Sequence, residues 1–332
     1  MRALIAGGYG GVEVLELADR PVPQPGRGQI QVRIAAAGLN PADLRLVSGV
    51  FMESAPVAFP HVPGSDFAGT VTATGEGVER FAPGDEIFGL GLARAAGDMA
   101  TALSSPPSFT TGTMAEYALF DADTPALALR PAELPAEHAA ILPIAALTAL
   151  PLLRAGDYTA GMTVLVIGAA GGVGGAVVPL LAARGVHVIG TAIPEDEAYV
   201  RGLGASEVID YRSADLAEET LRRPPGGVDG LVNLALPGPS LPAVTRAVRQ
   251  GGRLLNIAFP SPDPATKIET VYTRARPGDL DELAALAVKG VLPSTVTRRY
   301  PLEEAARAYA DLVARHVAGK LLVTMGGVSA GR

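Results

Sequence analysis

At 332 residues the chain is long enough for two domains with large cores, and a formal net charge of -7 with no basic run argues against a nucleic-acid surface. It contains no cysteine, which excludes a disulfide framework and every cysteine-bound zinc. The most apolar run, residues 139–153, is too short for a bilayer and holds Pro143 and Pro151, and the opening MRALIAGGYGG lacks a signal-peptide core, so a soluble, cytoplasmic protein with a small-molecule partner is expected.

Residues 1–124 alternate short strands with Pro and Gly, as in IQVRIA at 30–35 after the turn Pro25-Gly26-Arg27-Gly28, and GTVTAT at 69–74 before Gly75. The pattern predicts a β-rich, barrel-like domain. Residues 91–113, rich in Gly, Ser, Thr and Pro without a sustained period, read as either a lid or a disordered excursion.

From 125 to 275 strands alternate with helices, the strands expected at 164–167, 186–190, 207–210, 231–234 and 253–257. That alternation argues for an α/β domain with a parallel sheet and helices on both faces. Its organising stretch is 163–191, a buried strand, a glycine turn, an apolar helix and a second strand. Gly168, Gly171, Gly172 and Gly174 let the backbone turn sharply and let a diphosphate come close, where unpaired helix N–H groups and the dipole favour an anion. Against GxGxxG the chain reads Ala169-x-Gly171-x-x-Gly174, with the first glycine replaced, but the strand before and the helix and strand after restore the dinucleotide reading. Ala170, Gly171, Gly172, Val173 and Gly174 are therefore candidate cofactor contacts, and Pro179 is expected to kink the helix. Past Pro277 a helix (280–288), a strand (295–300), a helix (302–317) and a strand (320–324) are expected to return to the first domain.

In this order the pieces resemble the zinc-independent quinone oxidoreductase branch of the medium-chain dehydrogenase/reductase family. The matching segments are GGYGGVEVLEL, AAAGLNPADL at 35–44, FPHVPGSDFAGTV at 59–71, PGDEIFG at 83–89, AEYAL at 115–119, ILPIAALTAL at 141–150, the glycine turn, LGASEVIDYR at 203–212, GGRLLNIA at 251–258 and AGKLLV at 318–323. The resemblance implies a GroES-like β-barrel domain (1–124 and 276–332) and a Rossmann doubly wound domain (125–275), an active site in the cleft between them, a homodimer, and NADPH delivering hydride to a quinone or conjugated carbonyl.

It also implies site residues. Asn40 lies beside the nicotinamide in the family and can donate to a substrate carbonyl, its alternative being a turn Asn before Pro41. Asp43 reads as a structural hydrogen-bond acceptor. Thr148 resembles the threonine that meets the nicotinamide end, or else bonds its own helix backbone. Thr191, Ile257, Ala258 and Phe259 join the cofactor contacts. Zinc-dependent relatives hold their metal at positions that look like Asn40 and Gly64-Ser65-Asp66 here, so no metal is expected, and His61, His138, His187 and His316 lack ligand spacing. Many relatives place a proton-donating Tyr where this chain has Phe51, which lowers an enal, enone or enoyl reductase reading relative to quinone reduction. A cofactor-binding protein without efficient catalysis is the third alternative.

Cofactor choice turns on the end of the second strand. An NAD enzyme usually has an acid about twenty residues past the glycine turn. Here Thr191 stands there, followed by Glu195-Asp196-Glu197 rather than a basic residue, which leaves Tyr211 and Arg212 as the candidates beside the adenosine ribose and phosphate. NADPH is expected on the resemblance.

Overall fold

The computed structural model describes residues 1–53, 57–91, 112–213, 215–224, 226–314 and 316–326. Residues 92–111, nearly all of the loop read as a lid or an excursion, lie outside the described residues. The chain divides into two compact units, one of Met1–Ile144, Arg274–Val288 and Ser294–Arg332, the other of Ala145–Thr273 and Lys289–Pro293. Among the described residues no helix is long and apolar enough to cross a membrane.

The first unit is built on β1 (Arg2–Ala6), β2 (Leu15–Asp19), β3 (Gln29–Gly38), β4 (Asp66–Thr74), β5 (Glu86–Leu90), β6 (Tyr117–Asp121) and β7 (Leu127–Leu129). β1 and β2 form an antiparallel pair. The short helix Pro41–Val47 starts immediately after β3, because Pro41 suits a first helical position and Asp43 accepts the Asn40 backbone N–H at 3.0 Å.

The second unit carries β8 (Thr163–Ile167), β9 (His187–Ala192), β10 (Glu207–Asp210), β11 (Val228–Asn233), β12 (Val248–Asn256) and β13 (Glu269–Thr270) in one sheet of order β10-β9-β8-β11-β12-β13, every pair parallel. Leu165, Ile167, Ile189, Ile209 and Leu231 make its core on these strands. β12 begins five residues before the run expected at 253, since its first half is polar and exposed and carries no buried-strand signal. Two-residue β13 is too short to leave a periodic pattern.

The chain then adds the helix Asp279–Val288, β14 (Val296–Pro301), the helix Ala305–Ala314 and β15 (Lys320–Thr324) to the first unit. There β15 pairs parallel with β14 and antiparallel with β3, giving a seven-stranded sheet of order β14-β15-β3-β4-β5-β7, with β6 also on β3. Phe67 and Phe120 stack in its core at 4.2 Å between ring centroids, and the same core holds Ile34, Leu321 and Val323.

Candidate functional site

In the second unit, parallel pairing puts every strand's carboxyl end on one edge, and the strand order reverses between β8 and β11, where open α/β sheets take ligands. That edge brings together the 168–174 turn, Thr191, Tyr211, Arg212 and the 257–259 segment. The turn is held by Gly168, whose φ of +84° is open to glycine and costly for other residues. Its N–H donates to Thr191 Oγ1 at 3.0 Å, and its carbonyl accepts the N–H of Gly171 at 3.2 Å.

The conformationally demanding glycine is thus Gly168, one residue before the position where GxGxxG registers a loss, and the working spacing is Gly168-x-x-Gly171-x-x-Gly174. Ala169 is fully buried, its methyl against Gly190 of β9. A side chain on Gly174 would overlap the carbonyl of Ala169, so this glycine serves close packing of the helix Gly174–Ala182, within which Pro179 is accommodated. At Gly171 an added methyl would meet little, the nearest atom being Gly168 O at 3.5 Å. Ahead of the helix, the N–H groups of Gly172 and Val173 have no protein acceptor among the described residues. Donors at an uncrowded helix N-terminus fit the diphosphate of a dinucleotide.

Two residues that the sequence reading missed shape the far side of this edge. Asn233 and Asn256, both fully buried, end β11 and β12 and are joined by Asn233 Nδ2 donating to Asn256 Oδ1 at 2.7 Å. Asn233 closes the loop after β11 on Leu236, giving Nδ2–H to its carbonyl and accepting its N–H. Asn256 holds Ala258 in the same two ways, at 3.0 and 3.1 Å, and so sets the path of Ile257, Ala258 and Phe259. The available signal was an Asn closing each of two apolar runs, LVN and LLN.

Around the edge, Tyr211 and Arg212 are exposed, and the Arg212 N–H caps onto Asp210 Oδ1 at 3.0 Å. Of the acidic residues beyond β9, Glu197 is bonded by Arg201 at 2.8 Å. Thr148, on the helix Pro143–Gly156, exchanges a 2.7 Å hydrogen bond with Thr273.

In the first unit, Asn40, Asp66 and Lys320 meet from three distant parts of the chain, all nearly out of contact with solvent. Lys320 Nζ donates to Asn40 Oδ1 at 2.6 Å, to Asp66 Oδ2 at 3.0 Å and to Leu39 O at 3.0 Å. Asn40 Nδ2 donates to Asp66 Oδ2 at 3.0 Å, and the Ile144 N–H donates to Asp66 Oδ1 at 2.8 Å. The positions set against zinc ligands by resemblance therefore supply oxygens to an ammonium of the chain itself.

Next to this triad, Asp43 accepts hydrogen bonds from Ser65 Oγ at 2.7 Å, Tyr309 OH at 3.0 Å and the Asn40 N–H. Burial pushes the Asp43 carboxyl up to about 6, with Asp66 nearby acting in the same direction and Ser65, Asn40 and Lys320 opposing. Burial, then Asp43 itself, holds the Tyr309 phenol well above its ordinary value. His61 and His138 are buried, while His187 pairs with Glu207 at 2.9 Å. Among the described residues no group of three or more His, Cys, Asp or Glu is arranged to hold a metal ion.

Known proteins share this architecture. The family models described as "Alcohol dehydrogenase GroES-like domain" and "Zinc-binding dehydrogenase" match residues 26–130 and 203–323. The chloroplast envelope quinone oxidoreductase homolog of Arabidopsis thaliana is 30% identical over 97% of this chain and 98% of its own. A chloroplastic NADPH-dependent alkenal/one oxidoreductase of the same plant is 31% identical over 97% of this chain and 79% of its own. A crystal structure of an NAD-dependent alcohol dehydrogenase superposes with a TM-score of 0.86 at 32% identity, covering 98% of this chain and all of that one. The two-part α/β and GroES-like fold, the glycine turn at the strand-order reversal and these relatives together show that the chain belongs to the quinone oxidoreductase branch of the medium-chain dehydrogenase/reductase family, whose members are nicotinamide-dependent oxidoreductases.

Proposed function

We propose that the chain is an NADPH-dependent, zinc-free reductase of quinones or related conjugated carbonyls. The observation that carries this reading is the amide of Asn40, which keeps one Nδ2 hydrogen uncommitted among the described residues. An uncharged donor of this kind suits an oxygen on which negative charge grows, and one such donor is worth about 3 kcal/mol to the transition state.

The cofactor, when bound, supplies a hydride from its nicotinamide ring. The N–H groups of Gly172 and Val173 would hold its diphosphate, with Ile257, Ala258, Phe259 and Thr148 as further contacts. Tyr211 and Arg212 are the groups proposed beside the 2′-phosphate, and the Arg201 pairing of Glu197 reduces the opposing charge. Phe51 has no proton to give, which favours a quinone, whose reduced oxygens take protons from water. Zinc-free chemistry is supported by the Lys320 ammonium, which already binds Leu39 O, Asn40 Oδ1 and Asp66 Oδ2, and by the absence of cysteine.

Purified protein is expected to bind NADPH and to oxidise it with p-benzoquinone. No binding, and no oxidation with any of several quinones, would overturn the reading; binding without turnover would favour a non-catalytic cofactor-binding role. Reduction of an enal or enone is the second reading, favoured by similarity to the alkenal/one oxidoreductase. Faster turnover of an α,β-unsaturated aldehyde than of the quinone, at equal NADPH, would put it first. Parallel titration with NADH tests the cofactor, and size-exclusion chromatography tests the homodimer that the family resemblance suggests, with the cytoplasm as the proposed compartment.

A further inference from the structure

Lys320 is one of three lysines in the chain and is only 4% exposed at the head of β15. Its three ammonium protons meet three oxygens, so it has neither a proton to spare nor a lone pair with which to act as a base or nucleophile. Asp66 is equally committed, taking the Ile144 N–H on one oxygen and Lys320 with Asn40 on the other. A buried ion pair is a poor source of stability compared with an apolar pair of similar volume. What this pair does define is the direction of one amide.

An ammonium offers only donors and a carboxylate only acceptors, so Oδ1 of Asn40 must face Lys320 and Nδ2 must face Asp66. The flipped amide would set NH₂ against the ammonium and oxygen against the carboxylate, two repulsions where solvent screening is weak. We propose that Lys320 and Asp66 are positioning residues for Asn40, fixing its amide so that a single Nδ2 hydrogen is offered to the oxygen of the hydride acceptor. The proposal rests on the role given to Asn40 above and deepens it. Lys320 also draws electron density toward Oδ1, which strengthens the remaining N–H as a donor.

The test is a cycle of Asn40→Ala, Lys320→Met with Asp66→Asn, and all three changes together, with p-benzoquinone and NADPH as probes. Changing Lys320 and Asp66 together avoids leaving either charge buried alone, and thermal unfolding with NADPH titration checks each protein's fold. Asn40→Ala and the Lys320→Met, Asp66→Asn protein are each expected to lower kcat by roughly 100-fold, with the NADPH dissociation constant unchanged. The triple variant should fall no lower than Asn40→Ala, because the pair acts only through the amide. Losses that multiply, or full kcat in the Lys320→Met, Asp66→Asn protein, would overturn the positioning proposal and leave Asn40 its role. Unchanged kcat in Asn40→Ala would overturn that role, and the proposal with it. Should the paired variant not fold, Lys320→Gln with Asp66→Asn, a neutral pair of similar size and polarity that no longer dictates which way the Asn40 amide faces, is read in the same cycle with the same two outcomes.

Discussion

The hydroxyl of Thr191 accepts the backbone N–H of Gly168 at 3.0 Å, tying the end of β9 to the first residue of the glycine turn. Thr191 stands where a ribose-binding acid would in an NAD enzyme, and in this chain it is 2% exposed and braces the turn. Thr191→Val would leave the Gly168 N–H without its partner. It is expected to lower stability by about 1–3 kcal/mol and to weaken NADPH binding, whereas Thr191→Ser keeps the acceptor and both properties. Urea unfolding and fluorescence titration check the pair.

Gly171→Ala and Gly174→Ala should separate cofactor binding from folding. The methyl of the second collides with the Ala169 carbonyl and is expected to cost about 1–3 kcal/mol of stability. The methyl of the first meets only Gly168 O at 3.5 Å, so the protein should unfold like the parent. Its affinity for NADPH should nevertheless drop, because the methyl adds bulk to the turn whose Gly172 and Val173 N–H groups are proposed to hold the diphosphate.

Asn233→Ala and Asn256→Ala test the buried pair behind the 257–259 segment. Each is expected to destabilise by about 1–3 kcal/mol, since each leaves buried groups unpaired. Their effects should fall short of additivity, because the first loss already breaks the shared bond. A denaturant double-mutant cycle measures the coupling, expected at about 0.5–3 kcal/mol.

Asp43 imposes a pH dependence of defined sign. Its carboxyl is pushed up from 3.8 to about 6 in the folded chain, so between those values the folded state holds more protons than the unfolded state. The contribution to stability is therefore greatest below pH 3.8 and is lost as pH rises through about 6. Asp43→Asn should flatten that part of the profile, and Ser65→Ala, which removes a donor to the carboxylate, should move it to higher pH. Urea unfolding across the window checks both.

The two halves of the candidate machinery were not equally legible in the sequence. The dinucleotide turn is local: strand, glycines and helix are contiguous, so residues 163–191 could be read before any fold was known. The GxGxxG template still misassigned the strained position, because only backbone dihedrals distinguish Gly168 from Ala169. Asn40 was visible as a neutral donor, but its surroundings were not. Asp66 stood out only through its resemblance to a zinc-ligand segment, Lys320 looks like an ordinary charge at a strand's start, and nothing local marks either as buried. Their convergence depends on β15 pairing with β3 and β3 with β4, which is long-range information. Asn233 and Asn256 escaped notice because a polar residue ending an apolar run usually signals only a strand end.

The placement of Lys320 on the last strand also imposes an order on biosynthesis. Asn40 and Asp66 leave the ribosome 280 and 254 residues ahead of the lysine that joins them. Until Lys320 is made, the first unit carries the Asp66 carboxylate without its counter-charge, and burying such a charge alone costs several kcal/mol. Docking of β15 on β3 is thus the step that brings Asp66 its counter-charge.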